Sequence, residues 1–517
     1  MKRRKFIQTT GLSLPFLLNG FRIGAMPMSS LFSSLNVDND RVLVLINLIG
    51  GNDGLNTIIP LDQYDKLANA RGNILLPESQ LLGVGFDNAL HPSMTGLKGL
   101  FDNGKMTVVQ SVGYPNQNRS HFRSSDIWST GSPANEVWTS GWLGRYLDQE
   151  YPGYPTGYPN SEYPDPFAIT IGSLVSETCQ GTVTNFSLAI NDPFNLNPLA
   201  DPVNEPVPDT PYGDELSFLR TSIAQTNLYS ESIEDAANAG ANVVSYPEDF
   251  ALGRALKNVA LMISGGLQTK VYVVSIGGFD THANQVDQDD PTVGNHANLL
   301  SQLSQAVAAF QLDLQAQGLD ERVLTMTFSE FGRRIRSNES FGTDHGDAAP
   351  LMLFGSCVAP GFVGNNPEIP DEPEVQEALP MQYDFRNVYG SVLQDWFQIP
   401  EETVRQILYA GYQHIPIIQG CETVNSTGEA AAPIEITAAP NPFINQVRVS
   451  FACGNERVRL SVYNSIGHEM AVAFDKTLPA GEHQATIEAR DWPAGHYYLH
   501  LQLEKGRQRT KLLVKSR

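Results

Sequence analysis

The chain has 517 residues, with 34 Lys and Arg against 56 Asp and Glu, a formal charge of −22. Residues 1–30 carry five bases and no acid, and Pro433 onward carries 11 bases and 8 acids, so the stretch between holds 18 bases and 48 acids. So acidic a body lacks the basic footprint that phosphate backbones require, which excludes nucleic acid as a partner. Apolar content of 41% with 17% charged residues excludes disorder of the whole chain. The length suggests two to four domains. Four cysteines (Cys179, Cys357, Cys421, Cys453) lie far apart with no C-x-x-C pair, against a disulfide scaffold or a Cys-rich zinc site.

Residues 1–30 open on Lys2-Arg3-Arg4-Lys5, followed by Phe6-Ile7-Gln8 and a weakly apolar stretch from Gly11 to Leu18. That layout predicts an export signal, too short and too polar for a spanning helix. Its Arg-Arg-x-Phe-Ile order resembles twin-arginine signals, with an ordinary secretory signal as the alternative. No other window offers about 18 uninterrupted apolar residues, so no transmembrane anchor is expected.

Arg41–Ile49 is a continuous apolar, β-branched run ending in Gly50-Gly51, which predicts a buried parallel strand. Lys105–Ser111 predicts a second. Tyr151–Pro166 and Asn191–Tyr212 are too rich in Pro for helix or central strand, and predict a surface insertion over about 148–213. Helical periodicity follows over Asp214–Ala239 and Phe250–Leu267. Then come strand Lys270–Ile276, helix Ala297–Gln317, strand Arg322–Phe328 and strand Pro350–Phe354. That alternation predicts crossover units, and so an α/β sandwich with a mostly parallel central sheet over residues 31–418. Residues 419–432 read as a linker by composition. From 433 to 517 the pattern changes to short alternating strands, Gln446–Phe451, Arg457–Tyr463, His483–Ile487 and His496–Leu503, which predict a small all-β sandwich.

In an open parallel sheet, functional groups collect beyond the carboxyl ends of the strands. The first predicted strand is followed by Gly50-Gly51-Asn52-Asp53-Gly54-Leu55-Asn56, whose glycines permit close backbone approach. The second leads to Arg119-Ser120-His121-Phe122-Arg123, where Ser120 reads as a helix N-cap or as a nucleophile at the positive end of that helix. Arg119, Arg123 and Arg333 are candidate anion clamps, and Asn52 stands beside Asp53. The later strand ends deliver Asp280 with His282, Glu330, and His345 with Asp344. Carboxylates with two or three histidines are what a divalent-metal hydrolase needs. The competing reading is solvated loop residues of an acidic protein.

The segments GGNDGLN (50–56), RSHFRSSDIW (119–128), GWLGRY (141–146), GFDTH (278–282), TFSEFGR (327–333), GTDHG (342–346) and DFRNVYGSVLQDWF (384–397) resemble the domain of unknown function 1501 family over about residues 40–415. That family is placed in the alkaline phosphatase/sulfatase-like superfamily. The resemblance implies an alkaline-phosphatase-like sandwich and a metal-dependent phosphate or sulfate ester hydrolase. Carried over by position, it implies Asp53, Asp280, His282 and His345 around a divalent ion (Zn, Ca, Mg or Mn), with Ser120 where the superfamily nucleophile opens its helix; the residues themselves add Glu330 as a ligand, His121 and Arg123 in catalysis, and Arg119, Arg333 and Asn52 on the anion. Where phosphatases of the superfamily show Asp-His, this chain has Glu330-Phe331, and the sulfatase signature Cys/Ser-x-Pro-x-Arg is absent. Those departures imply a one-metal or degenerate site.

APNPF (439–443), LSVYNSIG (460–467), LPAG (478–481), WPAGHYY (492–498) and the basic ending resemble the type A sorting domain of the type IX secretion system of Bacteroidota. The secretion machinery is thus the partner expected for 433–517, with passage through the periplasm to the cell surface or medium. Two functions follow: an exported metal-dependent hydrolase of a small anionic ester or glycan, or a non-catalytic envelope protein that uses a degenerate site to recognise an anionic glycan or secreted partner.

Overall fold

The computed structural model describes residues 40–196 apart from 86, 206–420, and 436–516 apart from 454, 465–468 and 504–507, together with Leu17–Leu18 and Phe21–Arg22. The expected export signal and linker lie almost entirely outside the described residues. Contacts divide the chain into two compact units, one spanning Asp40–Cys421 and the other including Glu422–Arg517.

The larger unit is built on a nine-stranded sheet. Its strands are β1 (Val42–Ile49), β2 (Met106–Gly113), β3 (Ala168–Ile171), β4 (Ser187–Ile190), β5 (Val271–Gly277), β6 (Val323–Phe328), β7 (Ala349–Phe354), β8 (Gly361–Val363) and β9 (Tyr383–Asp384). They lie in the order β8-β2-β7-β6-β1-β5-β3-β4, with β9 beside β2. All pairings are parallel except those of β7, which runs against both β6 and β2. The expected mostly parallel sheet is therefore present, and β7 makes it mixed.

The central strand explains the two-sided core. Along β1, Val44, Ile46 and Leu48 face one layer and Leu43 and Leu45 the other, as period-two alternation requires. The first layer is covered by α1 (Thr95–Asp102) and by three later helices of 29, 14 and 22 residues, Pro211–Ala239, Ala251–Ser264 and Asn295–Ala316. The second is covered by α2 (His121–Thr130), α3 (Trp142–Glu150) and the segment Phe385–Trp396. Both faces being buried accounts for strands that read as unbroken apolar runs.

Residues 148–213 differ from the irregular insertion expected there, because they contribute β3 and β4 to one edge of the sheet. Tyr151–Pro166 itself is turn and loop, as its prolines demand, but it is pinned by aromatic stacking. Tyr151 lies 3.6 Å from the ring of Phe167, and Tyr154 lies 4.4 Å from Phe186. Those short β-branched strands are bracketed by Pro and Asn, so composition hid them.

The C-terminal unit has an antiparallel three-stranded sheet (Ile436–Ala439, Gln446–Cys453, Gly481–Glu488) and an antiparallel four-stranded one (Glu469–Leu478, Glu456–Asn464, Gly495–Leu503, Gln508–Lys515). Alternate residues such as Val447, Val449, Leu460, Val462, Leu499 and Leu501 fill one shared core. Among the described cysteines, Cys179 is a free thiol and Cys357 is disulfide-bonded. One such bond is not a scaffold.

Trp142 is fully buried and stacks on Tyr389 at 4.3 Å. Trp142→Ala is expected to cost about 3–5 kcal/mol of stability, measured by urea unfolding, without unpairing the sheet strands.

Candidate metal centre

Register brings the strand ends together. Ile49 of β1 pairs with Gly277 of β5, and Asn47 of β1 with Phe328 of β6. At the other side, Ala349 at the start of the antiparallel β7 pairs with Val112 near the end of β2. The loops that follow β1, β2, β5 and β6, and the one that precedes β7, therefore meet at one edge. They meet so closely that only glycine fits. A Cβ on Gly50 (φ +125°) would lie 2.2 Å from Asp280 N, and one on Gly51 (φ +82°) 2.3 Å from Phe331 Cε2.

Arg333 ties these loops. Its side chain is fully buried. Nε donates to Gly51 O (2.7 Å), Nη1 to Thr343 O (2.8 Å), and Nη2 to Gly50 O, Phe279 O (3.0 Å) and Asp280 Oδ1 (2.8 Å). Arg333 thus holds Asp280 in place rather than reaching out to an anion.

Around Asp280 stand three imidazoles. Nδ1 of His345 is 2.8 Å from Arg119 O, Nδ1 of His282 is 3.0 Å from Asp344 Oδ1, and Nδ1 of His121 is 2.9 Å from Glu330 Oε1. A carbonyl or carboxylate oxygen only accepts, so each Nδ1 is assigned the proton, which leaves the Nε2 lone pair as what each ring can offer a metal ion. All three Nε2 atoms turn to Asp280: those of His282 and His345 lie 3.1 Å from Oδ1, and that of His121 lies 3.5 Å from Oδ2. Ligand atoms of His121, Asp280 and His345 fall within 4.8 Å of one another.

Two of these lone pairs oppose each other, because His282 Nε2 and His345 Nε2 are 2.8 Å apart. Such a contact needs a cation between or beside the rings, either a shared proton or a metal ion. Burial lowers the His345 pKa, which works against the proton. Asp280 is held down to about 2; burial opposes this, and the hydrogen bond and positive charge of Arg333 outweigh it. A carboxylate with imidazoles whose far nitrogens are fixed by acceptors fits a divalent ion of the Zn or Mn type.

The other expected residues lie differently. Asp53 is buried and receives Arg71 Nη1 on both oxygens (3.0 and 2.8 Å) and Gln285 Nε2 on Oδ2 (2.6 Å). Burial raises its pKa, yet Arg71 and the hydrogen bonds leave it below the usual carboxylate range. Asn52 accepts from Thr57 and from His296 Nε2 (3.0 Å), so its oxygen faces the interior. Glu330 takes Gly50 N–H (2.9 Å) and His121, which makes it the orienter of an imidazole and leaves it outside the first ring of ligands.

Arg119 forms a fork with Asp347 (2.7 and 3.0 Å), and Arg123 pairs with Asp126 and with carbonyls of Pro133, Ala134 and Glu136. Ser120 is the N-cap of α2 and is exposed, and its side chain makes no capping bond. In the chain it follows Arg119, whose carbonyl holds His345, and precedes His121. Phe331 is fully buried against both rings, with centroids 4.9 Å from His121 and 4.5 Å from His345. Sequence reasoning missed Arg71, Gln285 and Asp347. No local pattern marks them, since their partners lie 18 to 232 residues away.

Behind Asn52, His91 and His296 are both buried with ring centroids 6.1 Å apart. Burial, above all, lowers their pKa values from 6.5 to about 3 and about 4. The unfolded chain therefore binds protons here more readily than the folded one. Their contribution to stability is complete above pH 6.5 and is lost as pH falls toward about 4. Urea midpoints measured from pH 7 to pH 4 are expected to drop, and the His91→Gln/His296→Gln double variant to drop less steeply.

The family profile described as "Protein of unknown function (DUF1501)" matches residues 79–408, and "Secretion system C-terminal sorting domain" matches residues 437–515. No curated protein matches the chain. Among solved structures, a sulfatase from Pseudoalteromonas sp. is similar at 9% identity over 90% of this chain and 88% of that one, with a TM-score of 0.34. A phosphonate monoester hydrolase from Silicibacter pomeroyi is similar at 10% identity over 92% and 89%, also with a TM-score of 0.34. Similarity at that level assigns no activity to this chain. The protein belongs to the DUF1501 family of proteins of unknown function and ends in a secretion-system sorting domain.

Proposed function

We propose that this protein is an exported, divalent-metal-dependent hydrolase of a phosphate or sulfate ester. The observation that carries the reading is the facing pair of Nε2 atoms, 2.8 Å apart, on two histidines whose Nδ1 atoms are both held by acceptors beside Asp280. Asp280, His282 and His345 are the residues that would hold the ion. A bound divalent ion would supply Lewis-acid stabilisation of the charge that develops on the ester oxygens.

The chain's own groups provide the rest. Ser120 presents an uncommitted hydroxyl at the positive end of α2, a position that favours anions. In this reading its oxygen attacks phosphorus or sulfur, the ester oxygen leaves with the serine proton, and water then cleaves the seryl ester and restores the hydroxyl. Arg333 holds Asp280, and Asp344 holds His282, so neither ligand needs to reorganise.

Export is supported by the sorting-domain match, and the disulfide at Cys357 suits an oxidising compartment. The type IX machinery is the partner proposed for residues 433–517, with a twin-arginine signal at residues 1–30 and transit through the periplasm. No described helix is long and apolar enough to cross a membrane.

Elemental analysis of the purified full-length protein is expected to find stoichiometric Zn, Ca, Mg or Mn, lost in Asp280→Ala. A screen of aryl sulfates and aryl phosphates is expected to find a hydrolysed ester, with activity reduced about 100-fold or more in that variant. Absence of a stoichiometric ion would overturn the proposal. A bound ion with no ester turned over would favour the non-catalytic binding protein of the cell envelope instead.

A further inference from the structure

We infer that this centre holds a single divalent ion, with His121 as its third imidazole, and that it thereby selects esters carrying one negative charge, such as sulfate esters and phosphate diesters, over dianionic phosphate monoesters. The inference rests on the hydrolase reading above and narrows it to a substrate class.

The places where a second ion would need ligands are filled by the protein itself. Both oxygens of Asp53 are taken by Arg71, whose remaining donors go to the carbonyls of Ile335 and Arg334 (2.8 and 2.6 Å). A guanidinium thus stands where Asp53 would otherwise face a metal. Position 331 offers a buried phenyl ring in place of an imidazole. Oε1 of Glu330 is occupied by Gly50 N–H and by His121, and Oε2 lies 3.3 Å from Ser329 Oγ.

His121 makes good the missing imidazole from another element. It enters from the first turn of α2 with Nε2 3.5 Å from Asp280 Oδ2, and its ring meets that of His345 edge to face at 4.4 Å. Glu330 fixes its Nδ1, the carboxylate–histidine pairing that orients metal ligands. Glu330 is therefore a positioning residue.

Charge then decides the substrate. Every arginine bordering the centre is committed to a carboxylate: Arg71 to Asp53, Arg119 to Asp347, Arg333 to Asp280 and Arg334 to Asp344. With Glu330 added, the five carboxylates exceed the four guanidinium groups by one, and an imidazole that ligates an ion through its lone pair adds no charge. One divalent ion leaves a single net positive charge. A singly charged ester neutralises it. A second negative charge meets no free cation among the described residues bordering the centre, while the cost of removing an anion from water grows with the square of its charge.

The test uses full-length protein loaded with Mn²⁺ or Zn²⁺, and the Ser120→Ala variant for binding, so that nothing is turned over. Elemental analysis is expected to give one ion per chain. His121→Ala and Glu330→Gln are expected to weaken ion affinity about 10- to 100-fold, and folded Asp53→Asn to keep its ion. By calorimetry at pH 8.5, the monomethyl ester of phenylphosphonate, a monoanion, is expected to bind at least about tenfold more tightly than phenylphosphonate, a dianion of nearly the same shape. Two ions per chain, loss of the ion in folded Asp53→Asn, unchanged ion affinity in both His121→Ala and Glu330→Gln, or tighter binding of the dianion would each overturn the inference. Those results leave the hydrolase proposal standing if an ion is bound and an ester is cleaved. That proposal fails separately, when no ion binds at all.

Discussion

The site depends on one buried guanidinium. Arg333 is surrounded by the carbonyls of Gly50, Gly51, Phe279 and Thr343 and by one carboxylate oxygen of Asp280. Loop carbonyls at the ends of three sheet segments would otherwise point into a dry space with no donors. The planar fork of arginine satisfies several at once, which the ammonium of lysine does not reproduce. Because a buried cation must be neutralised, the same residue dictates where Asp280 stands, and the three imidazoles gather about Asp280.

The polar groups near this edge fall into two kinds. Asp53, the Asn52 side-chain oxygen and Glu330 Oε1 accept from protein donors and hold the scaffold. Asp280, His121, His282 and His345 have nitrogen or oxygen atoms that face one another with no donor between the rings. The first kind resembles any satisfied interior network. The second kind is what remains when a network has been arranged around a partner it does not contain, and it is strained without a cation.

The acidity of the body is mostly unrelated to this chemistry. The middle of the chain has 30 more acids than bases, yet five carboxylates around the centre are nearly balanced by four arginines. The remaining excess lies in surface segments such as Asp287–Asp290 and Asp371–Glu374. A highly charged, solvated surface favours solubility, in keeping with a protein that carries a secretion sorting domain.

Periodicity alone determined five strands and three long helices of the α/β body to within a few residues, because a strand buried on both faces needs an unbroken apolar run and a covering helix needs a 3.6-residue stripe. It also placed Asp280 and His282 at a strand end, since parallel topology puts loops at the carboxyl edge, whereas His345 reaches that edge because the strand after it, β7, runs antiparallel. The strands β3 and β4 escaped, being short and set among prolines. What only the tertiary structure decided is the partner of each polar side chain. Asp53 looked equivalent to Asp280 in sequence, yet Arg71 claims one and three imidazoles surround the other. Glu330 turned out to orient His121 from 209 residues away. Hydrogen-bond partners are chosen by distance in space, and local sequence carries no record of which distant donor the fold brings within 3 Å.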